Sequence, residues 1–474
     1  MTDLGESSPR SSVDTYSPRL RTALVLTGTG TAGAYHAGAL RALEEAGVKI
    51  DVVGGHGMGV VGALFAAVDG AQKLWDLKGF WHSPAVRSFY PWSRLLRLAV
   101  LAIVLSVAIV AVPILVGAIA LVVFPIDFVQ KMLGFGGAGG LAASYLRFAD
   151  AAFQSEALPT WLPRLVVLVL GAVGAVALVA GWMGLGDRRQ RGPFWWRMAR
   201  APLSPAEAVD HCWSVMWDLV RGAAQLKQPP TLELGRRYTE LIADNLGQPG
   251  FRELVLIVHD VDARRDLVFA LVAESRRRDL VRRSTIEDAD ARRAEVFEMS
   301  GVARDYLAGV VAGALAIPVV CEPAPLTFAP DAYWRGETHR VCDRPAIVTR
   351  LIEEMLEIGV QQVIVVSSAP DTRGPHALSP PRLDGRGRFG EYLQSSEGAA
   401  VHDATRAGAR SLQVFAIRPS HNPIGPFDFG GGFDDRSDRP QPLEELMARG
   451  YEDAYRQFVE PVVGASGELL KVSR

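Results

Sequence analysis

The chain has 474 residues, and its 50 lysines and arginines against 52 aspartates and glutamates leave a formal net charge of −2. This length accommodates one large α/β domain with an insertion, and a charge so close to zero gives no indication of a nucleic-acid partner. The cysteines Cys212, Cys321 and Cys342 are too few and too widely spaced for a disulfide framework or a metal-ligand motif, which indicates a reducing compartment.

Residues 1–19 are rich in Ser, Thr and Pro and contain no apolar run. Such a composition predicts a disordered tail, and the missing apolar stretch argues against a secretory signal peptide. Residues 21–70 then read twice as a short apolar strand, a glycine-rich turn and a helix. Two such units in tandem predict a parallel sheet covered by helices.

The two glycine-rich turns carry the residues of greatest chemical interest. The first is Gly28-Thr29-Gly30-Thr31-Ala32-Gly33, and the second is Gly55-His56-Gly57-Met58-Gly59. The second turn has the G-x-S-x-G frame of a nucleophile elbow, in which the central side chain points a reactive oxygen out of the sheet. Its central residue is Gly57, which has no side chain. The frame is therefore present without a nucleophile.

Together with two later segments, these turns resemble the patatin-like phospholipase family. The first turn is similar to the family's G-G-G-x-R-G oxyanion loop, and the second to its nucleophile elbow. Residues 312–318, AGALAIP, resemble the family's A-S-x-A-x-P segment, and residues 333–337, YWRGE, stand at the place of its D-G-[GA] motif. The resemblance implies a three-layer α/β/α domain with a mainly parallel central sheet. It also implies hydrolysis of phospholipids or other acyl esters by a Ser-Asp dyad, without metal or cofactor.

The chain departs from this family pattern at three positions. The nucleophile position is Gly57, the dyad Asp position is Arg335, and Ala32 replaces the arginine of the oxyanion loop. Asp331 and Glu337 lie close to Arg335 in sequence and are alternative carboxylates. A covalent mechanism needs an activated hydroxyl, so neither carboxylate restores the activity while glycine occupies the elbow centre.

Two apolar runs interrupt the α/β pattern, at about residues 95–124 and 165–185. At ~1.5 Å per helical residue, each is long enough to cross a hydrocarbon core of ~30 Å. The sequence therefore predicts a transmembrane helical hairpin inserted at residues 93–200. Residues 20–92 and 201–474 are then the two parts of the patatin-like domain.

The flanking charges orient the hairpin. Arginines precede the first run and follow the second, whereas the connector at about 126–162 has balanced charges. The positive-inside rule places both outer ends, and with them the patatin-like domain, in the cytoplasm of a cell-membrane protein. The amphipathic stretch AASYLRFADAAF at 142–153 is predicted either to lie on the outer membrane face or to form an ordinary loop and helix.

Two further polar stretches have alternative interpretations. His259, Asp260 and Asp262 follow a predicted strand and invite comparison with a metal site, but no second ligand cluster has partner spacing. The mixed-charge run at 276–293 is typical of a solvated helix or loop, and the alternative is a contact with anionic lipid headgroups.

The favoured function is a catalytically degenerate member of the family that binds a lipid or a protein partner. The alternative is an active lipid acyl hydrolase that uses a non-standard nucleophile, for which Thr27, Thr29, Thr31 and His56 are the candidates. A third interpretation takes Gly28-x-Gly30-x-x-Gly33, with Asp51 about 20 residues on, as a dinucleotide fingerprint.

The expected ligands follow from the first glycine turn and from the hairpin. Backbone N–H groups near Gly30 and Thr31 are predicted to hold an anion such as a lipid phosphate or carboxylate. Gly171 and Gly174 give the second run a small-residue face on which a second copy could pack. The expected partners are thus membrane lipid and a protein partner or homo-oligomer, with no nucleic acid and no cofactor.

Overall fold

The computed structural model describes residues 16–134, 139–183, 201–281, 292–371, 384–422, 424–433 and 439–463. The chain divides into two compact units, one formed by Met1–Pro91 with Leu203–Arg474 and the other by Trp92–Pro202. The predicted tail, 1–19, lies outside the described residues up to residue 15.

The first unit is built on a nine-stranded sheet with the order β5-β4-β3-β2-β1-β8-β9, to which the β6–β7 pair is joined through β3. Strand β1 is paired in parallel with both β2 and β8, and the pairs β2–β3, β4–β5 and β8–β9 are also parallel. The antiparallel pairs are β3–β4, β3–β7 and β6–β7. The prediction of a mainly parallel central sheet is therefore confirmed. The strands are β1 Thr22–Thr27, β2 Val52–Gly55, β3 Glu253–Asp260, β4 Arg265–Leu271, β5 Val296–Glu298, β6 Ala324–Thr327, β7 Thr338–Cys342, β8 Gln362–Ser367, β9 Gln413–Ile417, and the separate pair β10 Gly432–Phe433 and β11 Pro440–Gln441.

Both faces of this sheet are covered by helices. The helices of the first unit are α1 Ala32–Glu45, α2 Gly59–Ala67, α3 Gln72–Trp75, α7 Ala206–Val220, α8 Thr231–Asn245, α9 Glu274–Val281, α10 Leu307–Leu315, α11 Val348–Glu357, α12 Gly385–Gly408 and α13 Leu443–Ala454. The described residues of this unit also form three short 3₁₀ helices, Pro84–Ser88, Val302–Tyr306 and Pro345–Ile347, and a π-helix, Tyr455–Val463.

Strand β1 shows why the core has two halves. All six of its residues are buried, because it is central and covered on both faces. Side chains alternate along a strand, so Leu24 and Leu26 pack into one apolar cluster while Ala23 and Val25 pack into the other. An apolar run without alternation is the sequence signature of this environment.

The described part of the second unit is helical and contains α4 Arg94–Met132, α5 Leu141–Ala152 and α6 Leu158–Met183. Within it, the N–H of Ala142 donates to Asp127 Oδ1 at 3.1 Å, and the Tyr145 hydroxyl donates to the Val116 carbonyl at 2.6 Å. These two bonds fix α5 along the second half of α4.

One described helix is long and apolar enough to cross a membrane, the Val100–Met132 part of α4, with a mean hydropathy of 3.0 and 6% of its window buried. The apolar stretch of α6 extends over Thr160–Ala175, which is shorter, and the predicted second run ends outside the described residues. The structure thus gives one candidate span, and the predicted hairpin is not established by it.

Candidate functional site

The turn around Gly57 joins β2 to α2 at the carboxyl edge of the parallel sheet. The N–H of His56 donates to the Leu26 carbonyl at 3.3 Å, and α2 begins at Gly59. Gly57 has a φ of +56°, a left-handed conformation that side chains rarely adopt. A Cβ at Gly59 would lie 2.0 Å from the Leu26 carbonyl oxygen, so the helix starts against the backbone of β1. The glycines of this turn therefore serve close backbone approach.

Gly57 lies in a fully occupied space. A Cβ added there would lie 2.5 Å from the Gly28 carbonyl oxygen and 2.8 Å from Asp343 Oδ2. The same Gly28 carbonyl accepts the N–H of Met58 at 2.8 Å. A serine at this position would therefore require the backbone at Gly28 to move.

Asp343 is the carboxylate that the structure brings to the turn. It follows β7 directly, its N–H donates to the Ala316 carbonyl at 3.0 Å, and its side chain is buried. Its Oδ1 accepts from His56 Nδ1 at 3.0 Å, and its Oδ2 accepts from the Thr29 hydroxyl at 3.4 Å. Sequence reasoning missed Asp343, although a carboxylate at the end of a strand was the available signal.

Arg335, which was predicted at the dyad Asp position, lies apart from these contacts. Arg335 is exposed, has a φ of +45°, and lines a separate groove with Asp331 and Glu337. Glu337 lies 3.2 Å from His339 Nε2. The two alternative carboxylates, Asp331 and Glu337, therefore line the same groove as Arg335.

A buried polar layer continues beneath the turn. Glu397 accepts hydrogen bonds from Thr27 Oγ1 at 2.8 Å and Ser367 Oγ at 2.6 Å, and burial raises its pKa. His36 Nε2 lies 2.7 Å from the Thr27 carbonyl oxygen, and burial lowers the pKa of His36 to about 4. His56 Nε2 is buried and has no hydrogen-bond partner among the described residues. The layer is polar, enclosed and partly unsatisfied.

The first glycine turn is covered by residues 424–429, which we call the covering segment. The N–H of Thr31 donates to the Pro426 carbonyl at 3.0 Å, and the Thr31 hydroxyl donates to the Gly425 carbonyl at 2.9 Å. A Cβ at Gly30, whose φ is +61°, would lie 1.9 Å from the Pro426 oxygen. The Thr31 N–H that was predicted to hold an anion is thus already occupied by the chain itself.

The four candidate nucleophiles have different partners. Thr27 is bonded to Glu397, Thr31 to Gly425, and Thr29 and His56 to Asp343. Only the last two share the carboxylate beside Gly57, and both are buried. Gly33 packs elsewhere, because a Cβ there would lie 2.2 Å from the Trp81 ring and 2.7 Å from Met58 Cγ.

In the described part of the chain, the contacts of His259, Asp260 and Asp262 do not support a metal site. His259 Nδ1 is 2.8 Å from Asp266, Asp260 Oδ2 is 2.5 Å from His339, and Asp262 is bonded to Arg340. Each side chain has its own partner, and no group of three metal-ligating side chains occurs among the described residues.

The dinucleotide interpretation fails on sheet geometry. Asp51 precedes β2, accepts the N–H of Thr22 at 2.9 Å, and lies beside the start of β1. The glycine turn follows the end of β1, and the two strands are parallel. Asp51 is therefore at the opposite edge of the sheet from the glycines, whereas the motif needs both at the carboxyl edge.

Comparisons with known proteins agree with the motifs in the first part of the chain. The family model for patatin-like phospholipase matches residues 24–110. Over 52 residues the chain is 52% identical to patatin-like phospholipase domain-containing protein 6 of Mus musculus and of Homo sapiens. That segment is 11% of this chain and spans only 4% of those relatives.

A solved structure, the crystal structure of VipD from Legionella pneumophila, aligns with 95% of this chain and 67% of its own at 12% identity and a TM-score of 0.30. A TM-score this low does not establish a shared fold. The family match at residues 24–110, the 52-residue identity and the two glycine turns on a mainly parallel sheet support the patatin-like phospholipase family for this part of the chain.

Proposed function

We propose that this protein is a membrane-anchored, catalytically degenerate member of the family, whose α/β unit binds a membrane lipid or a protein partner. The observation that carries the proposal is Gly57, which offers no nucleophile between β2 and α2. We take this turn as the elbow and Asp343 as the dyad carboxylate, because Asp343 Oδ2 is 2.8 Å from the position of a Cβ on Gly57.

On this assignment the dyad carboxylate, Asp343, is retained, and only the nucleophile is lost. The proposal rests on three features of the turn: the missing side chain, the Gly28 carbonyl that fills its space, and the covering segment on the first glycine turn. Each of them opposes the binding of an ester carbonyl beside an activated hydroxyl.

Membrane anchoring is supported by α4. Its apolar side chains are largely exposed within the second unit, and a continuous exposed apolar surface of this kind marks contact with lipid or with another protein. Exposed apolar side chains on a helix of 33 residues fit a lipid environment. We propose that α4 crosses the cell membrane and that the second apolar run, at about 165–185, returns the chain, because strands from both sides of the insertion form one sheet. The α/β unit then lies in the cytoplasm, following the arginines that flank the insertion.

The test is covalent labelling of the full chain in lipid nanodiscs with a fluorophosphonate probe, run beside acyl-ester turnover. We expect no labelling and no turnover above empty nanodiscs. The positive control is an active serine hydrolase that has passed through the same detergent and the same nanodisc lipids, which verifies that the probe labels under these conditions. Ester turnover by the natural chain would overturn the proposal.

The alternative function is an acyl hydrolase with Thr29 as nucleophile, and one contact favours it over the other threonines. Thr29 Oγ1 donates to Asp343 Oδ2 at 3.4 Å, the geometry of a hydroxyl near its base. If turnover is found, Thr29→Val should abolish it. Thr31→Val should leave most of the turnover, because the natural Thr31 hydroxyl is bonded to the Gly425 carbonyl and not to Asp343. Equal loss in both variants would indicate disruption of the turn rather than a nucleophile.

A further inference from the structure

An open groove of about 840 Å³ lies at the β5 edge of the sheet. Its wall is formed by β5, the 3₁₀ turn Val302–Tyr306 and the loop before β7. This volume is within the range of small-molecule sites, roughly 300–1,000 Å³. The groove shares no lining residue with the Gly57 turn, so its occupancy is independent of the proposed function.

The apolar side of the groove is a fixed aromatic cluster. Phe297 and Tyr306 line the groove and meet edge-on at 5.8 Å, and the buried Phe328 supports them from behind, stacked on Phe297 at 5.2 Å. Trp334 donates its indole N–H to the Ala294 carbonyl at 3.0 Å, and Tyr333, which is 50% exposed, meets it at 5.3 Å. Rings held in this way offer a preformed apolar surface, because little side-chain entropy is lost when a ligand covers it.

The charged side of the groove has two arginines without a partner in the part of the chain that the structure describes. Arg293 and Arg335 are exposed and form no ion pair or side-chain hydrogen bond among the described residues. Of the acidic lining residues, Glu298 is bonded to Ser300 and Arg277, and Glu337 to His339. Asp331 is the remaining carboxylate, so two guanidinium groups face one uncommitted acid.

The backbone holds Arg335 in an uncommon conformation. Its φ is +45°, which is rare for a residue with a side chain, and the next residue, Gly336, has a φ of +81°. Three turn hydrogen bonds, from the N–H groups of Arg335, Gly336 and Glu337, maintain this loop. Backbone strain of this kind concentrates at binding sites, where the surrounding structure fixes a side chain in place.

From these observations we propose that the groove binds a small organic anion, with its phosphate or carboxylate on Arg293 and Arg335 and its apolar body against Tyr333 and Trp334. Guanidinium groups bind both anions through paired N–H donors, and aromatic faces accept a flat or apolar body. The cations supply charge recognition, and the rings supply contact area.

The test is equilibrium dialysis of the full chain in nanodiscs, with empty nanodiscs as blank. The probes are 1-naphthyl phosphate and 1-naphthoate, which separate phosphate from carboxylate recognition. Neutral 1-naphthol and inorganic phosphate each lack one half of the proposed ligand. We expect saturable binding of at least one naphthyl anion, at least about tenfold tighter than 1-naphthol and inorganic phosphate, because charged hydrogen bonds and apolar contact act together.

The variants Arg293→Gln and Arg335→Gln should each weaken this binding by about tenfold, and Tyr333→Ala by a smaller factor. Arg410→Gln, which changes an exposed arginine after α12, is the matched control and should bind as the natural chain does. The proposal is overturned if neither naphthyl anion binds saturably below about 1 mM. Equal affinity for 1-naphthol, or equal affinity in the groove and control variants, would also overturn it.

Discussion

Asp343 lies directly against Gly57, with its Oδ2 2.8 Å from the position that a Cβ on the glycine would occupy. A buried carboxylate therefore lies beside a residue without a side chain, and the Gly28 carbonyl lies 2.5 Å from the same position. This arrangement makes the restoration of a serine a question of space as well as of chemistry.

Gly57→Ser should lower the free energy of unfolding by about 2–4 kcal/mol. Two costs add up: the strain of a side chain at positive φ, and the overlap of the new side chain with the Gly28 carbonyl. Chemical denaturation measures the change. Gly222→Ser is the matched control, since Gly222 also has a φ of +56° and an added Cβ would meet no described atom within 4 Å. Gly222→Ser should cost about 1 kcal/mol, the effect of conformation alone. Equal costs in the two variants would show that Gly57 has room for a side chain.

The assignment of Asp343 rather than Arg335 is tested by comparing their alanine variants. Asp343→Ala leaves His56 Nδ1 without its acceptor in a buried layer, so we expect a loss of about 1–3 kcal/mol. Arg335→Ala removes an exposed side chain and should change the free energy of unfolding by less than about 0.5 kcal/mol. A larger loss from Arg335→Ala than from Asp343→Ala would contradict the assignment.

The first half of the site could be predicted because its signals are local. The runs that form β1 and β2 and the glycines that start α1 and α2 are contiguous in sequence, and the structure places them as expected. Asp343 could not be found in the same way, since it meets His56 across 287 residues. Asp343 reaches His56 because β7 pairs antiparallel with β3, and no local sequence pattern encodes this pairing.

The covering segment illustrates a second limit of sequence reasoning. The sequence of residues 423–435 is rich in Gly and Phe and predicts an irregular loop. In the structure, however, Ile424, Phe427 and Phe429 are buried. Phe429 is stacked on Tyr90 at 5.8 Å. Irregular backbone gives no periodicity from which burial can be read, so the contact with Thr31 was invisible before the structure.

Gly30→Ala should displace the covering segment, because its Cβ would overlap the Pro426 carbonyl oxygen at 1.9 Å. Hydrogen exchange of the Thr31 amide reports this directly, since its N–H donates to that carbonyl. We expect exchange at Thr31 to quicken by at least about tenfold relative to the natural chain. Gly47→Ala, at a φ of +64° with no described atom within 4 Å of the new Cβ, is the control and should leave this amide protected.

His36 should make the chain sensitive to mild acid. Its pKa is lowered by burial to about 4 in the folded protein, against about 6.5 in the unfolded chain. Between pH 6.5 and pH 4, His36 binds a proton in the unfolded state but not in the folded state. The contribution of His36 to the stability of the fold is therefore complete above pH 6.5 and decreases progressively as the pH falls to 4. Burial of Glu397 raises its pKa and acts in the opposite sense over part of this window. We therefore compare the natural chain with His36→Gln, and expect its stability relative to the variant to fall by about 3 kcal/mol between pH 7 and pH 4. A pH-independent difference would contradict a neutral buried His36.

Membrane anchoring by α4 is tested with Leu115→Arg, because Leu115 is 61% exposed within the second unit and lies in the middle of the candidate span. A charged residue at the centre of a spanning helix costs about 2.5–3.5 kcal/mol on insertion scales. We expect the fraction of protein that resists carbonate extraction from membranes to fall strongly. Leu77→Arg is the matched control, since Leu77 is 88% exposed in the first unit, and its variant should extract as the natural chain does. If Leu115→Arg also leaves extraction unchanged, α4 does not hold the protein in the membrane, and its apolar surface must be covered by protein instead.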